Sequence, residues 1–200
     1  LLHAEKSACG EAVLELIELL TGSVTEQEAN LLYIAVTTDT GCFQYANTNA
    51  ATLRAAARLL ELGADNRKVS MEFFRKISRA RMALVGHIYS GMRFFRGGQI
   101  AIAVVTRALI DALQATEDDC DDIAGLPGRA DGVVVSVTIR ELTDGRSKIS
   151  VRTPPEVDSC AICAVYGGGG HKMASGCTLT CDPETAVEKI LAAIDQVWPA

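Results

Sequence analysis

The segment best suited to chemistry is Tyr166-Gly167-Gly168-Gly169-Gly170-His171-Lys172. Consecutive glycines bare their backbone N–H groups with no Cβ in the way, so an oxyanion such as a phosphate can come close, and His171 and Lys172 add donors or charge. A flexible turn is the plain alternative for the same residues. Arg152 ends a predicted strand a short helix away, and a guanidinium clamps a phosphate through two parallel N–H bonds. Taken alone it is equally an exposed strand-end arginine. The third candidate is Thr37-Thr38-Asp39-Thr40-Gly41, where a carboxylate closing a buried helix among small neighbours suits magnesium or manganese. One carboxylate does not make a metal site, and an Asp at a helix end also bonds its own loop backbone.

Three weaker constellations compete. Cys160-x-x-Cys163 with Cys177-x3-Cys181 loosely imitates a four-thiolate zinc ribbon, but the first pair sits in a helical pattern beside Ile162 and Val165, which favours small buried thiols. Glu117-Asp118-Asp119-Cys120-Asp121-Asp122 lacks the alternating ligands and central glycine of a calcium loop and reads better as an acidic first turn of a helix. His87, between Gly86 and Ile88, is expected to pack near a domain junction rather than to ligate.

These residues need elements to position them. Apolar spacing predicts helices over 10–20 and 29–36, the latter opened by the Thr25/Glu28 capping box, followed by a polar loop over 37–47. Asn49 caps a helix that Gly63 closes, and Ser70 starts a long one with Phe73, Phe74, Ile77, Met82 and Val85 on its inner face. From Met92 the pattern turns to strand, with a hairpin through Gly97-Gly98 into Ile100–Val105. Then come helices over 106–114 and 120–124, strands over 132–142 and 148–153 joined at Asp144-Gly145, a helix over 157–165, a strand over 176–180, and a last helix from Pro183 to Val197. The change of character places a domain boundary near residues 86 to 91.

Two hundred residues, 48% of them hydrophobic, supply a packed core. A net charge of -6 argues against tight non-specific binding of long duplex nucleic acid, which needs many cations on phosphates, so a nucleotide ligand is expected to be short. No apolar run is long enough for a membrane span, and no signal-peptide pattern opens the chain, which reads as cytoplasmic. Seven cysteines, an odd number, favour reduced thiols over a disulfide scaffold. The chain opens at Leu1 without an initiator Met and almost at once in a helical pattern, as a piece of something longer would.

Taken in order, Ser7-Ala8-Cys9-Gly10-Glu11, then Thr38-Asp39-Thr40-Gly41-Cys42-Phe43-Gln44-Tyr45-Ala46-Asn47-Thr48, then Lys148-Ile149-Ser150-Val151-Arg152, then Val157-Asp158 and Gly167-Gly168-Gly169-Gly170-His171-Lys172-Met173-Ala174-Ser175-Gly176 resemble the DHH phosphoesterase family. The branch is that of nanoRNases and pAp phosphatases, often labelled exopolyphosphatase-related. The resemblance implies an α/β protein of two lobes. Residues 1–88 would be the mostly helical, carboxy-terminal part of a parallel-sheet metal domain, and residues 89–200 a smaller mixed-sheet domain that grips substrate. It implies hydrolysis of short oligonucleotides, dinucleotides or nucleoside bisphosphates with Mn2+ or Mg2+, Asp39 as a metal ligand, and Arg152, Gly167, Gly168, Gly169, Gly170 and His171 as substrate contacts. Asn47 and Thr48 fall in the matched block without an assigned role, and a homodimer is left open. The family's Asp-x-Asp, lone Asp and Asp-His-His motifs have no counterpart here, and His3 reads as a surface histidine. The expectation is therefore a phosphoesterase of which this chain, if nothing precedes Leu1, binds metal weakly or not at all and does not turn over, a nucleotide-binding module without catalysis being the other class of reading.

Overall fold

The computed structural model describes residues 5–199, and His3 lies outside them. The chain divides into two compact units, Leu1–Ile77 and Ser78–Ala200.

The first unit is helical throughout its described residues. Helix α1 (Cys9–Thr21) ends at Gly22, whose φ of 72° is the left-handed turn that glycine adopts without strain. Helix α2 (Glu26–Asp39) opens on the predicted capping box: Thr25 Oγ1 accepts from Glu28 N–H at 3.3 Å, and Glu28 Oε2 accepts from Thr25 N–H at 2.8 Å. It runs further than the periodicity predicts, to Asp39 rather than Val36. Thr37 and Thr40 are buried there, with hydroxyls that donate back to the carbonyls of Tyr33 and Val36, both at 2.7 Å. Helix α3 (Ala50–Glu61) starts at Asn49, whose side chain accepts from Ala51 and Thr52 N–H. Leu14, Ala29, Leu32, Tyr33, Val36, Ala56, Leu59 and Val69 form the core between these helices.

The long helix predicted from Ser70 does not form. Helix α4 (Asn66–Ser70) passes into a single π turn, Met71–Arg75, then breaks at Lys76, which is extended. Ser78 caps a new helix, α5 (Arg79–Gly91), by accepting from Arg81 N–H at 2.9 Å. Phe73, Phe74, Ile77 and Met82, expected on an inner face, are exposed.

The second unit is a six-stranded sheet. Its strands are β1 (Arg93–Phe95), β2 (Ile100–Val105), β3 (Val135–Glu141), β4 (Ser147–Arg152), β5 (Gly169–His171) and β6 (Ala174–Leu179). Their spatial order is β1-β2-β3-β4-β6-β5, with β2 and β3 parallel and every other pair antiparallel. The segment between β2 and β3 carries α6 (Arg107–Ala112) and three 3-10 turns rather than the helix predicted over 120–124, because Asp122 sits at φ 56° and breaks the helical path. Helices α7 (Ser159–Ala164) and α8 (Pro183–Val197) complete the unit.

Alternation along the strands sends Val135, Val137, Ile139, Ile149, Val151, Cys177 and Leu179 to one face, where they pack with Ile162 of α7 and Ile190 and Ile194 of α8. On the other face Ala103 and Val105 pack with Leu84 and Ile88 of α5. Helix α5 therefore belongs to the sheet unit, and the compact units part at residue 77, ahead of the change in residue character near 86 to 91. Among the described residues no helix is long and apolar enough to cross a membrane.

Candidate functional site

Helix α7 is short and capped at both ends. Asp158 accepts from Ala161 N–H at 3.1 Å, while Gly167 N–H donates to Ala164 O and Gly168 N–H to Cys163 O, each at 3.0 Å. The glycine run is thus not one bare loop. Gly167 and Gly168 spend their N–H groups closing the helix, and Gly169, Gly170 and His171 form β5 at the rim of the sheet. Two of these glycines are required by space. A Cβ on Gly168 would run into Gly176 O and Cys177 Cβ, and one on Gly170, at φ 146°, would lie 2.6 Å from Ala174 O. The run lets β5 lie close against β6.

Strand register then brings the predicted contacts together. Ser136, Arg152, Ala174 and His171 are directly opposite one another on β3, β4, β6 and β5. Directly opposite residues share a face, so Arg152 and His171 stand on the sheet face away from α7 and α8, about 10 Å apart with the small Ala174 between them. The neighbouring row is Thr138, Ser150, Gly176 and Gly169, and the third is Arg140, Lys148 and Thr178. The floor between Arg152 and His171 is small side chains and glycine, with cations and hydroxyls around it. That arrangement suits an anion that must lie close to the sheet.

Arg152 is half-buried; its Nη1 donates to Val151 O at 3.0 Å, and it makes no ion pair among the described residues, so further guanidinium donors remain for a ligand. The His171 ring is exposed, while its carbonyl accepts from Ser159 Oγ at 3.1 Å, which ties β5 to α7. Two cavities meet at Arg152. One, of about 190 Å3, is lined by Thr138, Arg140, Lys148 and Ser150, with Asp121 and Asp122 opposite. The other, of about 390 Å3, is lined by Ser136, Thr153, Pro154, Gly128 and Arg129. Arg140 is already matched by Glu117 at 2.7 Å, whereas exposed Lys148 has no ion pair among the described residues. Lys148 and Ser150 stand in a block that carries the family resemblance but have no role assigned from sequence, and Thr138 lies outside it. Their signal was the alternation in Val135–Glu141 and Ser147–Arg152, where every second residue is polar.

Asp39 closes α2 in the first unit, exposed to solvent. Its carboxylate makes no hydrogen bond or ion pair among the described residues. Its backbone carbonyl accepts from Asn47 Nδ2 at 3.1 Å, and the same amide donates to Ser7 O at 3.2 Å. The turn beyond it is tight, with Gly41, Cys42 and Phe43 all in the left-handed region. Among the described residues no three His, Cys, Asp or Glu side chains gather where one ion could bind them, at Asp39 or elsewhere.

The seven cysteines are free thiols, two of which, Cys163 and Cys177, are hydrogen-bonded to each other. Buried Cys163 accepts from Ser175 Oγ at 3.1 Å, and hydrogen bonding by Cys177, then by Ser175, with the Arg152 charge nearby, brings its pKa down to about 7 against the upward push of burial. The same thiol–thiol bond and burial push Cys177 up. In the acidic run, Asp119 accepts from the Ser78 hydroxyl and from Thr116 N–H, the latter at 2.8 Å, and these bonds, Ser78 foremost, hold its carboxyl below the usual range. His87 is exposed on α5 rather than packed.

Comparison with known proteins places the chain in a family. Residues 97–198 match the family described as the DHHA1 domain. The chain is 36% identical over 191 residues to a bifunctional oligoribonuclease and PAP phosphatase NrnA of Thermus thermophilus, covering 94% of this chain and 56% of that protein. It is 31% identical over 173 residues to the protein of the same name from Mycoplasma genitalium, covering 86% of this chain and 53% of that one. The crystal structure of an exopolyphosphatase-related protein from Bacteroides fragilis superposes with a TM-score of 0.86 at 26% identity, over 97% of this chain and 58% of that one. The chain spans about half the length of the curated relatives it matches. On the sheet, its glycine-lined edge and the match across it, the chain belongs to the DHHA1 domain family and is homologous to the NrnA proteins of the DHH phosphoesterases.

Proposed function

We propose that the sheet unit holds a terminal phosphate of a short nucleotide, as the gripping part of a metal-dependent phosphoesterase that hydrolyses short oligonucleotides, dinucleotides or nucleoside bisphosphates. The observation that carries this reading is the row Arg152, Ala174, His171. Arg152 offers a forked, always charged donor, His171 a second donor from the rim, and Ala174 leaves room for the anion between them. Gly169 and Gly176, in the next row, let a ribose or base lie against the backbone. The names of the relatives, oligoribonuclease and PAP phosphatase, support a substrate of this size.

For the divalent cation that the family resemblance implies, manganese or magnesium, the matched motif supplies one carboxylate, Asp39, and the described residues hold no cluster of three or more His, Cys, Asp or Glu side chains. A single carboxylate neither holds a pair of cations nor generates hydroxide. The role read for the described residues is to hold a substrate, and the titration below tests it. A cytoplasmic setting and a homodimer belong to the same proposal, and fractionation and sedimentation check them.

The deciding experiment is to titrate the chain with the dinucleotide pApA, with and without Mn2+, and to follow both heat of binding and released mononucleotide. Saturable binding without product is expected. Arg152→Ala and His171→Ala should each weaken that binding about tenfold or more, as loss of a charge-assisted phosphate contact does. Unchanged affinity in both variants would sink the assignment of this face.

A further inference from the structure

The first unit carries a second feature that the Arg152 face does not use. Of the seven Lys and Arg in residues 1–77, four (Arg67, Lys68, Arg75 and Lys76) fall in ten residues that contain one carboxylate, Glu72. The chain as a whole is acidic, so this is a local positive patch. Lys76 pairs with Glu72, whereas Arg67, Lys68 and Arg75 make no ion pair among the described residues. Within the same stretch only Val69 is buried, and two adjacent rings, Phe73 and Phe74, are 51% and 36% exposed. They sit in the π turn, a rare backbone form that occurs frequently at functional sites.

We propose that Phe73 and Phe74, flanked by Arg67, Lys68 and Arg75, form a stacking platform for a few nucleotides of single-stranded nucleic acid. Phenyl faces accept any base, and the cations beside them meet the phosphates that follow each base. A membrane surface fits less well. An interfacial helix keeps its apolar and charged faces apart over several turns, whereas here Phe73, Phe74, Arg75 and Lys76 are consecutive and the helix stops at Arg75. Duplex fits less well still, since it spreads many phosphates over a chain whose net charge is -6. The platform lies in a different unit from Arg152 and does not rest on the reading of that site.

The test uses the whole chain, a fluorescein-labelled twelve-nucleotide oligouridylate, and anisotropy at several KCl concentrations. Phe73→Leu with Phe74→Leu keeps the apolar cover and removes the ring faces, so a merely structural role is preserved. It should weaken binding of the oligomer at least about tenfold and leave pApA binding within about twofold. Arg67→Gln, Lys68→Gln and Arg75→Gln together should flatten the log–log salt dependence by about 2, since each phosphate contact on a single strand contributes about 0.7. Arg152→Ala should leave most of the oligomer affinity in place. If the leucine variant binds the oligomer like the parent chain, or if oligomer binding disappears only with Arg152→Ala, the platform is wrong. Adsorption to phosphatidylserine vesicles that falls in the leucine variant while oligomer binding does not would assign the patch to membrane and equally overturn it.

Discussion

Arg152 and His171 occupy the two ends of a cross-strand stretch in which Ala174 is the single residue between them. The spacing works only while that middle side chain stays small. Ala174→Leu should fill the gap without touching either partner. We expect pApA affinity to fall at least about tenfold, measured by calorimetry, with the melting temperature little changed because the site is half-exposed. Retained affinity would mean that the anion does not sit over Ala174.

The glycines separate by cause. Gly168→Ala and Gly170→Ala both force a methyl into neighbouring backbone, and each should lower stability by roughly 2 kcal/mol in urea denaturation. Gly169 has open space where its Cβ would be, so Gly169→Ala should stay within about 0.5 kcal/mol of the parent. If Gly169→Ala nonetheless loses nucleotide affinity, the loss reports ligand approach and not folding.

Asn47 bridges two carbonyls, of Ser7 and Asp39, with one amide nitrogen. Asn47→Leu removes both bonds and should cost about 1–2 kcal/mol. Chemical denaturation read at Tyr33 and Tyr45 in the first unit would show it; an unchanged midpoint would contradict the bridge.

The acid limb of the stability curve has a named contributor at the start of α8. Asp182 accepts from the Thr185 hydroxyl at 2.6 Å and from Thr185 N–H at 3.0 Å, and these bonds, the side-chain one foremost, hold its carboxyl below the usual range. A depressed carboxyl stabilises the fold above the unfolded value of about 3.9, and the effect is lost as pH falls below that. Melting temperature plotted from pH 7 down to about 2.5 should therefore drop less steeply between pH 4 and 2.5 in Asp182→Ala than in the parent chain. Parallel curves would deny Asp182 that part.

Much of this fold could be read locally, and the misses share a cause. The Thr25/Glu28 capping box, the Asp144-Gly145 turn and the Asp182-Pro183 helix start each carry their own signal within a few residues, and each forms as expected. Strand β5 has none: glycines disfavour strand, and only pairing with β6 makes Gly169–His171 one. The phenylalanines at 73 and 74 extended a helical period that the backbone abandons at Lys76, because apolar spacing alone does not say whether a face is covered. At the candidate site, residue type and family resemblance single out Arg152 and His171, and register sets them on one face. Lys148 and Ser150 carry no such signal of their own, since only register shows that they face the same way as Arg152.

The rim position of β5 also bears on timing. Three residues, two of them without side chains, hold on to the sheet along one side only, so little free energy is needed to release them while the apolar layers beneath stay shut. Amide hydrogens at Gly169 and Gly170 should then exchange with deuterium well before those of Ile149 or Val151. If nucleotide binds at His171 as proposed, it should slow that exchange locally, at the part of the sheet that is otherwise the last to become rigid.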